Sequence, residues 1–476
     1  MTGTYAISFL KAGNSALFQD IVFSLQADGS YAADLVPEVS LSAVVPTFSY
    51  TGKVTLNGTV LASGSTKVSF PDTCTVKFGD SAVVFRVHRA YAIPTIEITT
   101  DGGASITSKT DYVTCSIKLD GKNMYADYSA SGAKIRLRGN STLTYYNKKP
   151  YRIKLGAKAA LLGLAANKDW VLLANYRDPT NFMNAVTFDM ARYMGMPYTN
   201  SNRFVEVTLN GTYIGMYQFT EQIEQGESRV NIDKTSGVLL NLDLDDGPDL
   251  ASSATDNFTS TVYSLPVCVK YPDDVTAARL DSVKTDFTEL ETLIKNGDYT
   301  ALSKRLDITS LINFLIIQEL TRNVELVSPR SMYMYKSSDN IYHFGPVWDF
   351  DGGFAFDWAS MTDGHNYFGS DTWLMGSTNP AQHPVDAYNE ISGFFVNMFS
   401  SQEFVSAYKA RWNEISLNML TDVFAKLDDY VLHTSSAMER NAAKWPIDKT
   451  YSTEIQNMKT WLTNRVSSYT NVVAGY

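Results

Sequence analysis

Residues 134–158 read KIRLRGNSTLTYYNKKPYRIKLGAK and contain eight basic residues but no acidic one. Side chains of a β-strand alternate between two faces, so in residues 151–155 Arg152 and Lys154 share one face and the apolar side chains share the other. A strand holds a cation more rigidly than a loop does, which suits the binding of a phosphate group. The alternative interpretation is a basic surface strand that pairs with acidic residues elsewhere in the chain.

This basic stretch stands out because the chain as a whole is acidic. The 476 residues include 40 Lys and Arg against 50 Asp and Glu, which gives a net charge of −10. Such a molecule repels polyanions, so we expect no nucleic-acid partner. The length predicts roughly two to four domains. A hydrophobic content of 44% with 19% charged residues is typical of a globular protein and excludes a disordered or collagen-like chain.

The cysteine count and the absence of long apolar runs argue against a disulfide-rich, zinc-binding or membrane-spanning protein. Cys74, Cys115 and Cys268 are too few and too scattered for a disulfide framework or a zinc motif. No apolar run approaches the roughly 20 residues that span a bilayer, and the first residues do not form a signal peptide. We therefore expect a chain without a transmembrane segment.

Residues 1–90 are predicted to form a separate all-β domain. Short alternating runs, among them residues 67–70, are separated by turn signals such as Asn57-Gly58 and Ser63-Gly64. No cluster of titratable side chains occurs here, which favours a β-sandwich. The composition is weakly similar to that of the immunoglobulin-like domains of secreted bacterial proteins.

From residue 91 onward the pattern predicts one larger α+β domain. Residues 91–245 are β-rich, with Asn210-Gly211 as a strong hairpin signal, and residues 275–476 are α-rich. Asp178-Pro179 predicts the start of an amphipathic helix that ends at Gly195. Residues 308–320 are apolar nearly all round, as expected of a buried helix.

Two closely spaced aspartates within the α-rich part of the chain are the strongest indication of a metal site. Asp349 and Asp351 stand at i and i+2 in the sequence Trp-Asp-Phe-Asp-Gly-Gly, and in an extended segment they point the same way. Two hard oxygen ligands on one side fit Mg²⁺, which keeps waters and takes further ligands from phosphate groups. The alternative is a simple turn with one solvated Asp and one Asp that caps a helix.

Other acidic positions carry weaker signals. Glu221 ends a hairpin strand, where it could pair with a lysine of a neighbouring strand. Residues 243–247, Asp-Leu-Asp-Asp-Gly, lack the ligand spacing of a calcium loop, and we interpret them as a turn. The sequence contains no P-loop, GxSxG or HExxH motif, so it gives no support to a hydrolase or a zinc enzyme.

The order of these features, a basic strand, a strand-end Glu and then an acidic pair, is that of a kinase-like phosphoryl-transfer site. The chain also resembles the spore-coat CotH kinase family in several blocks that keep their order over about residues 93–445. The blocks are Arg138-Gly139-Asn140-Ser141-Thr142, Lys148-Lys149-Pro150-Tyr151-Arg152-Ile153-Lys154-Leu155, Val205-Glu206-Val207, Leu209-Asn210-Gly211-Thr212-Tyr213-Ile214-Gly215, Thr220-Glu221-Gln222-Ile223, Arg229-Val230-Asn231-Ile232 and Pro346-Val347-Trp348-Asp349-Phe350-Asp351.

The resemblance implies an atypical two-lobed protein-kinase-like fold that binds ATP with Mg²⁺ or Mn²⁺ between a β-rich and an α-rich lobe. It implies that Lys154 contacts the phosphates with Arg138 and Lys148 nearby. It also implies that Glu221 pairs with that lysine.

The acidic residues of the site follow from the same resemblance. It implies that Asp349 and Asp351 bind the metal, with Asn323 as a further ligand. The family has Asn-x-Asp before the acidic pair, where this chain has Asn323-Val324-Glu325, so Glu325 takes the position of the catalytic base. Met183 is a second departure, at a position where the family often has arginine.

The predicted function is transfer of phosphate from ATP to Ser or Thr of a protein substrate, which the sequence does not identify. The alternative is a surface or phage-virion protein of the CotH fold that has a binding or structural role and no catalytic activity. The appended β-domain favours a secreted or cell-surface bacterial protein, with a phage-virion or cytoplasmic origin as alternatives. The sequence does not specify the oligomeric state.

Overall fold

The computed structural model describes residues 5–246, 255–357, 365–367, 369–381 and 391–476. Over these residues the chain is a mixed α+β protein with an all-β region at its N-terminus, as predicted. Among the described helices, none is both long enough and apolar enough to cross a bilayer.

The N-terminal region consists of two sheets that share one hydrophobic cluster. The larger sheet has the order β3-β4-β8-β7-β5-β6, in which only β4 and β8 run parallel, and the smaller one pairs β1 with β2. Residues 67–70 do not form the predicted strand, since Val68 makes only an isolated bridge with Val44. The immunoglobulin-like assignment and the boundary at residue 90 stay predictions. The strands are β1 (Ser8–Phe9), β2 (Ile21–Val22), β3 (Ser24–Leu25), β4 (Tyr31–Leu35), β5 (Val54–Leu56), β6 (Thr59–Leu61), β7 (Thr73–Phe78) and β8 (Ser81–Arg89).

Seven strands then close into a barrel with the order β10-β11-β12-β13-β15-β14-β9. The strands are β9 (Thr95–Thr100), β10 (Val113–Asp120), β11 (Tyr128–Leu137), β12 (Tyr151–Ala159), β13 (Asn167–Leu173), β14 (Arg203–Leu209) and β15 (Thr212–Glu221). Its interior is filled by alternate apolar side chains such as Ile135, Ile153 and Trp170. Because strand side chains alternate, Arg136, Arg152 and Lys154 project from the outer surface instead.

A second sheet lies outside the barrel and has the order β17-β18-β16-β19-β20. Its first three strands are β16 (Val238–Leu242), β17 (Asn257–Thr259) and β18 (Pro266–Tyr271). Its last two, β19 (Met332–Lys336) and β20 (Tyr342–Phe344), come from the region that the sequence predicts to be α-rich. This sheet therefore joins the two halves of the larger domain, which the sequence pattern did not indicate.

Nine helices are described. They are α1 (Ser141–Tyr145), α2 (Met183–Tyr193), α3 (Ala277–Lys295), α4 (Tyr299–Leu302), α5 (Ile308–Leu320), α6 (Gly393–Val396), α7 (Gln402–Ile415), α8 (Met419–Lys444) and α9 (Tyr451–Gly475). Helix α5 has the predicted bounds and is buried almost throughout, which confirms the prediction from its apolar sequence.

Helix α2 begins later than Asp178-Pro179 predicts. Asn181 has φ 64°, a left-handed conformation that interrupts any helix, and the first helical residue is Met183. The carboxylate of Asp178 accepts a hydrogen bond from the backbone N–H of Met183 at 2.7 Å. The predicted N-cap position is therefore wrong, because Phe182 occupies it without a side-chain capping bond, although Asp178 still binds the first helical N–H from the preceding loop.

Helix α8 packs along the barrel through polar contacts that surround Lys148. The ammonium group of Lys148 is buried and donates hydrogen bonds to the backbone carbonyl of Met216 and to Oδ1 of Asn441 on α8. The ring of Tyr217 lies 4.7 Å from the same ammonium. Burial lowers the pKa of Lys148 to about 7.

Replacing Lys148 with Met should change how stability depends on pH. An unfolded lysine has a pKa of about 10.4, so between about pH 7 and pH 10 the unfolded chain binds one proton more than the folded chain. Folded stability due to this group therefore rises with pH in that window. We expect the free energy of unfolding of the wild type, relative to Lys148→Met, to increase by on the order of a few kcal/mol between pH 7 and pH 10.

Urea unfolding at pH 7.0 and 9.5 measures this difference. Lys158→Met is the matched control because Lys158 is exposed on strand β12, and it should show no such change. A difference between wild type and Lys148→Met that stays constant with pH would contradict the buried, weakly basic ammonium.

Candidate active site

A polar cleft of about 500 Å³ lies between the outer surface of the barrel and the second sheet. Strands β11 and β12 supply one wall, strands β16, β18 and β19 supply the other, and residues 348–351 lie between them. The charged residues that line it are seven basic ones (Lys109, Arg136, Arg138, Arg152, Lys154, Lys270, Arg330) and eight acidic ones (Glu224, Asp243, Asp245, Asp246, Asp273, Glu325, Asp349, Asp351).

Arg138 is the cation best placed to receive an anion in this cleft. Its guanidinium lies over the ring of Trp348 at 5.3 Å, and among the described acidic residues none forms an ion pair with it within 4 Å. Burial lowers the pKa of Arg138, an effect that the nearby charge of Asp349 opposes. An arginine keeps its charge even so, so the cleft holds a fixed cation with free donors.

Arg152 and Lys154 lie in the same wall but share one carboxylate. Asp169 on the neighbouring strand β13 accepts hydrogen bonds from Nε and Nη2 of Arg152 at 3.0 and 2.7 Å. Nζ of Lys154 lies 3.8 Å from the other oxygen of Asp169, directly across the strand pair. The sequence left open that this basic strand pairs with acidic residues, and these two side chains do so. Both also face the cleft.

The predicted acidic pair lines the cleft, but not from an extended strand. Asp349 has φ 67°, and Phe350 between the two aspartates is buried and held by a hydrogen bond from its N–H to Oδ1 of Asn184 at 2.8 Å. Asp349 accepts a hydrogen bond from Oγ of Ser331 at 3.3 Å. Asp351 is buried beside Arg177, whose Nη1 is 3.7 Å from its Oδ1.

Glu325 completes a group of three carboxylates with Asp349 and Asp351. It lies in a short 3₁₀ turn, is buried, and its Oε2 has no hydrogen-bond partner in the part of the chain that the structure describes. Burial and the charges of both aspartates raise the pKa of Glu325 well above its usual value. The surrounding protein and the charge of Asp351 likewise raise the pKa of Asp349 to about 6.

This arrangement fits a divalent cation. Neighbouring carboxylates that repel one another, two of them buried and one of these with an unpartnered oxygen, are stabilised by a positive ion of hard character. Within the described ranges no three His, Cys, Asp or Glu side chains are arranged to hold a metal by themselves. The ion would therefore take its other ligands from water and phosphate, which is how proteins usually hold Mg²⁺.

Three residues that the sequence assigned to the site do not line the cleft. Lys148 is turned into the contact with α8 described above, where its ammonium binds Met216 and Asn441. Asn323 is 2% exposed, and its Oδ1 caps the turn by accepting a hydrogen bond from the N–H of Glu325.

Glu221 is the third, and it does not pair with Lys154. Strand β13 lies between β12 and β15, so Glu221 is opposite Trp170 in the sheet. Its carboxylate accepts hydrogen bonds from the N–H and the hydroxyl of Ser201 at 2.7 and 2.8 Å. The expected lysine–glutamate pair is replaced by the pairing of Lys154 with Asp169.

The sequence did not identify the contribution of the second sheet. Asn241, Asp243, Lys270 and Tyr333 all face the cleft. The acidic run at 243–246 is a turn as interpreted, because Asp243 accepts hydrogen bonds from the N–H groups of residues 245 and 246, while residue 247 lies outside the described ranges. The local sequence pattern was enough to predict the turn. Its position beside Asp349 depends on the pairing of β16 with β19, which the pattern does not indicate.

Arg177 is a further residue of the site that the sequence did not indicate. It precedes Asp178-Pro179, lies against Asp351 and donates a hydrogen bond to the hydroxyl of Ser141 at 2.6 Å. Met183, noted as a departure from the family, is fully buried in the core and does not face the cleft. A basic side chain therefore reaches the acidic group from the loop that precedes α2.

Comparison with known proteins agrees with the resemblance noted in the sequence. No curated protein sequence matches the chain. The family model described as CotH kinase protein matches residues 135–469, well over half of the chain, and this range contains the cleft residues named above from Arg136 onward. The chain belongs to the CotH kinase family.

Proposed function

We propose that this protein is an ATP-dependent protein kinase that transfers phosphate to Ser or Thr of a protein substrate. The observation that carries the proposal is the convergence of free and paired cations with three carboxylates, of which Glu325 and Asp351 are buried, in one cleft. Phosphoryl transfer relies mainly on such positioning and on neutralisation of charge, rather than on covalent chemistry by the protein. Membership of the CotH kinase family supports the same conclusion.

The basic wall would hold the triphosphate. Arg138 donates to the phosphate oxygens, and its contact with Trp348 fixes the guanidinium so that little side-chain entropy is lost on binding. Arg152 and Lys154 add positive charge from strand β12, moderated by Asp169. The geometry thus favours Arg138 over Lys154 as the principal phosphate contact.

The acidic side would hold Mg²⁺ or Mn²⁺ and the acceptor. Asp349 and Asp351 are the metal ligands, and the bound ion supplies charge neutralisation for the phosphates. Glu325 has an unpartnered oxygen, Oε2, that can accept the proton of a Ser or Thr hydroxyl. Arg177 and Arg330 oppose the rise in the pKa of Glu325 but do not outweigh burial and the two aspartates, so a cation bound at the aspartates would be needed to favour the charged form that accepts a proton.

A catalytically silent binding or structural protein of the same fold is the second candidate. The observation that favours it is the pairing of Lys154 with Asp169 instead of with Glu221, together with glutamate where the family has aspartate. Under this candidate the protein would act on a bacterial surface or in a phage virion without transferring phosphate.

We also propose a secreted or cell-surface location in a bacterium. The support is the spore-coat association of the family and the all-β region that precedes the kinase-like domain. The two lobes of that domain would be the barrel with its neighbouring strands and the helices from α3 onward.

Arg138→Met should weaken the binding of ATP about tenfold or more in the absence of metal. Hydrogen bonds to charged groups contribute about 1.5–3 kcal/mol, and among the described acidic residues none is left unpaired by this change. Calorimetric titration with ATP in the presence of EDTA measures the effect. Lys158→Met, exposed on the same sheet outside the cleft, is the control and should bind like wild type; equal losses in both variants would argue against a specific contact.

Asp349→Asn should reduce metal-dependent binding of ATP more than metal-free binding. The substitution keeps the size of the side chain but removes the charge that attracts the cation. We expect magnesium to increase the affinity of the wild type for ATP and to leave that of the variant nearly unchanged, as titrations with and without Mg²⁺ would report. An equal gain from Mg²⁺ in both proteins would remove Asp349 from the metal site.

Substitutions of Glu325 distinguish an active kinase from a catalytically silent protein. Glu325→Gln should abolish phosphate transfer and leave ATP affinity nearly unchanged, because the amide cannot accept the hydroxyl proton. Glu325→Asp should retain transfer, since it keeps a carboxylate and restores the family residue. Labelled ATP, incubated with the protein alone and with proteins of a bacterial lysate, measures transfer to the chain itself and to other substrates.

Two outcomes of that assay count against the proposal. If the wild type transfers phosphate at a rate indifferent to Glu325→Gln, another group accepts the proton. If the wild type transfers no more than Lys154→Ala, the silent protein is the better description.

A further inference from the structure

Asn241, in the middle of strand β16, lines the cleft and has an unpartnered side-chain oxygen. Its side chain lines the cleft and is only 1% exposed, and its Oδ1 has no hydrogen-bond partner within the described residues. An unpaired buried acceptor destabilises the folded state, so such atoms are uncommon in folded proteins. The missing partner is therefore a candidate ligand.

The orientation of this amide is fixed. Nδ2 of Asn241 donates to Oδ2 of Asp243 at 2.8 Å, and Asp243 is itself held by the N–H groups of Asp245 at 2.9 Å and Ser331 at 3.1 Å. A carboxylate with these donors around it only accepts, so the amide cannot turn its NH₂ group toward the cleft. The free atom is the carbonyl oxygen, which attracts a cation or a donor and repels phosphate oxygens.

A short chain of contacts connects this oxygen with the proposed metal ligands. Ser331 donates its N–H to Asp243 and its hydroxyl to Oδ2 of Asp349 at 3.3 Å. Asp243, which holds the amide of Asn241, and Asp349 thus contact the same serine, which connects Asn241 with the proposed metal ligands. Strand register secures the position, because Asn241 is directly opposite Tyr333 on β19, another cleft residue.

The charge of the cleft also calls for a further cation. Its lining residues number eight acidic against seven basic, so the cleft is nearly neutral before a ligand enters. A bound triphosphate adds several negative charges, and a single divalent ion at Asp349 and Asp351 offsets only part of them. Amide and carboxylate oxygens are the hard ligands that divalent cations take in proteins.

We propose that Oδ1 of Asn241 is a ligand of a second divalent cation, bound together with the triphosphate between strand β16 and Asp349. This inference rests on the proposed function, because the phosphates supply the remaining ligands. It gives Asn241 the role that the family resemblance implied for Asn323, which does not line the cleft.

Counting bound Mn²⁺ tests the proposal without measuring activity. Electron paramagnetic resonance would follow Mn²⁺ titrated into the full chain saturated with the β,γ-imido analogue of ATP. We expect two Mn²⁺ per chain in the wild type and one in Asn241→Leu, with the affinity of the remaining site changed less than about threefold. Asn257→Leu, on the edge strand β17 of the same sheet and away from the cleft, is the control and should bind two.

A second variant keeps the test valid if Asn241→Leu fails to fold, which its thermal unfolding without metal would reveal. Asn241→Asp has the same size and adds a charge, so it should bind the second Mn²⁺ at least tenfold more tightly than wild type. An unchanged second affinity in this variant would overturn the proposal.

The other outcomes are equally decisive. One Mn²⁺ in the wild type, or two in Asn241→Leu, overturns the inference and leaves the proposed function intact if the analogue still binds. Loss of analogue binding by Asn241→Leu in EDTA would mean that Asn241 contacts the nucleotide itself, which also overturns the cation role. A wild type that binds no analogue would refute the proposed function together with the inference.

Discussion

The register of strands β11, β12 and β13 is the constraint on which the site depends. Cross-strand pairing sets Arg136 opposite Arg152 and Lys154 opposite Asp169, with these four charged side chains on the outer surface of the barrel. The intervening apolar residues fill the interior, where Ile153 is 2% exposed. A slip of one residue would turn the cations into the core, so burial of the apolar face fixes the position of the basic wall.

Charge balance is the second theme of the cleft. A basic wall from the barrel faces acidic residues from the second sheet and from the segment around Asp349, and neither wall is fully neutralised by its own neighbours. Arg138 faces the cleft with free donors, while Glu325 has an oxygen without a partner. Such opposed, incompletely paired groups are costly to keep in a folded protein and are typical of functional sites.

The parts of the cleft come from several distant segments of the chain. Strand β16 and strand β19 are neighbours in the second sheet although about ninety residues separate them in the sequence, and their pairing sets Asn241 and Ser331 near Asp349. Lys148 is a case in which the tertiary structure keeps a residue out of the cleft. It belongs to the basic stretch 134–158, yet its side chain contacts helix α8. Position in a motif therefore did not by itself decide the role of a side chain.

The sequence by itself determined the features that depend on local periodicity: the outward face of Arg152 and Lys154, the buried helix 308–320, the turn at Asp243 and, through its motif blocks, the family. Only the tertiary structure decided which side chains meet. Glu221 misses Lys154 because β13 lies between their strands, and Asn323 misses the cleft because it caps a turn. The physical reason is that alternation and capping act over a few residues, whereas the order of strands in a closed barrel is set by long-range pairing.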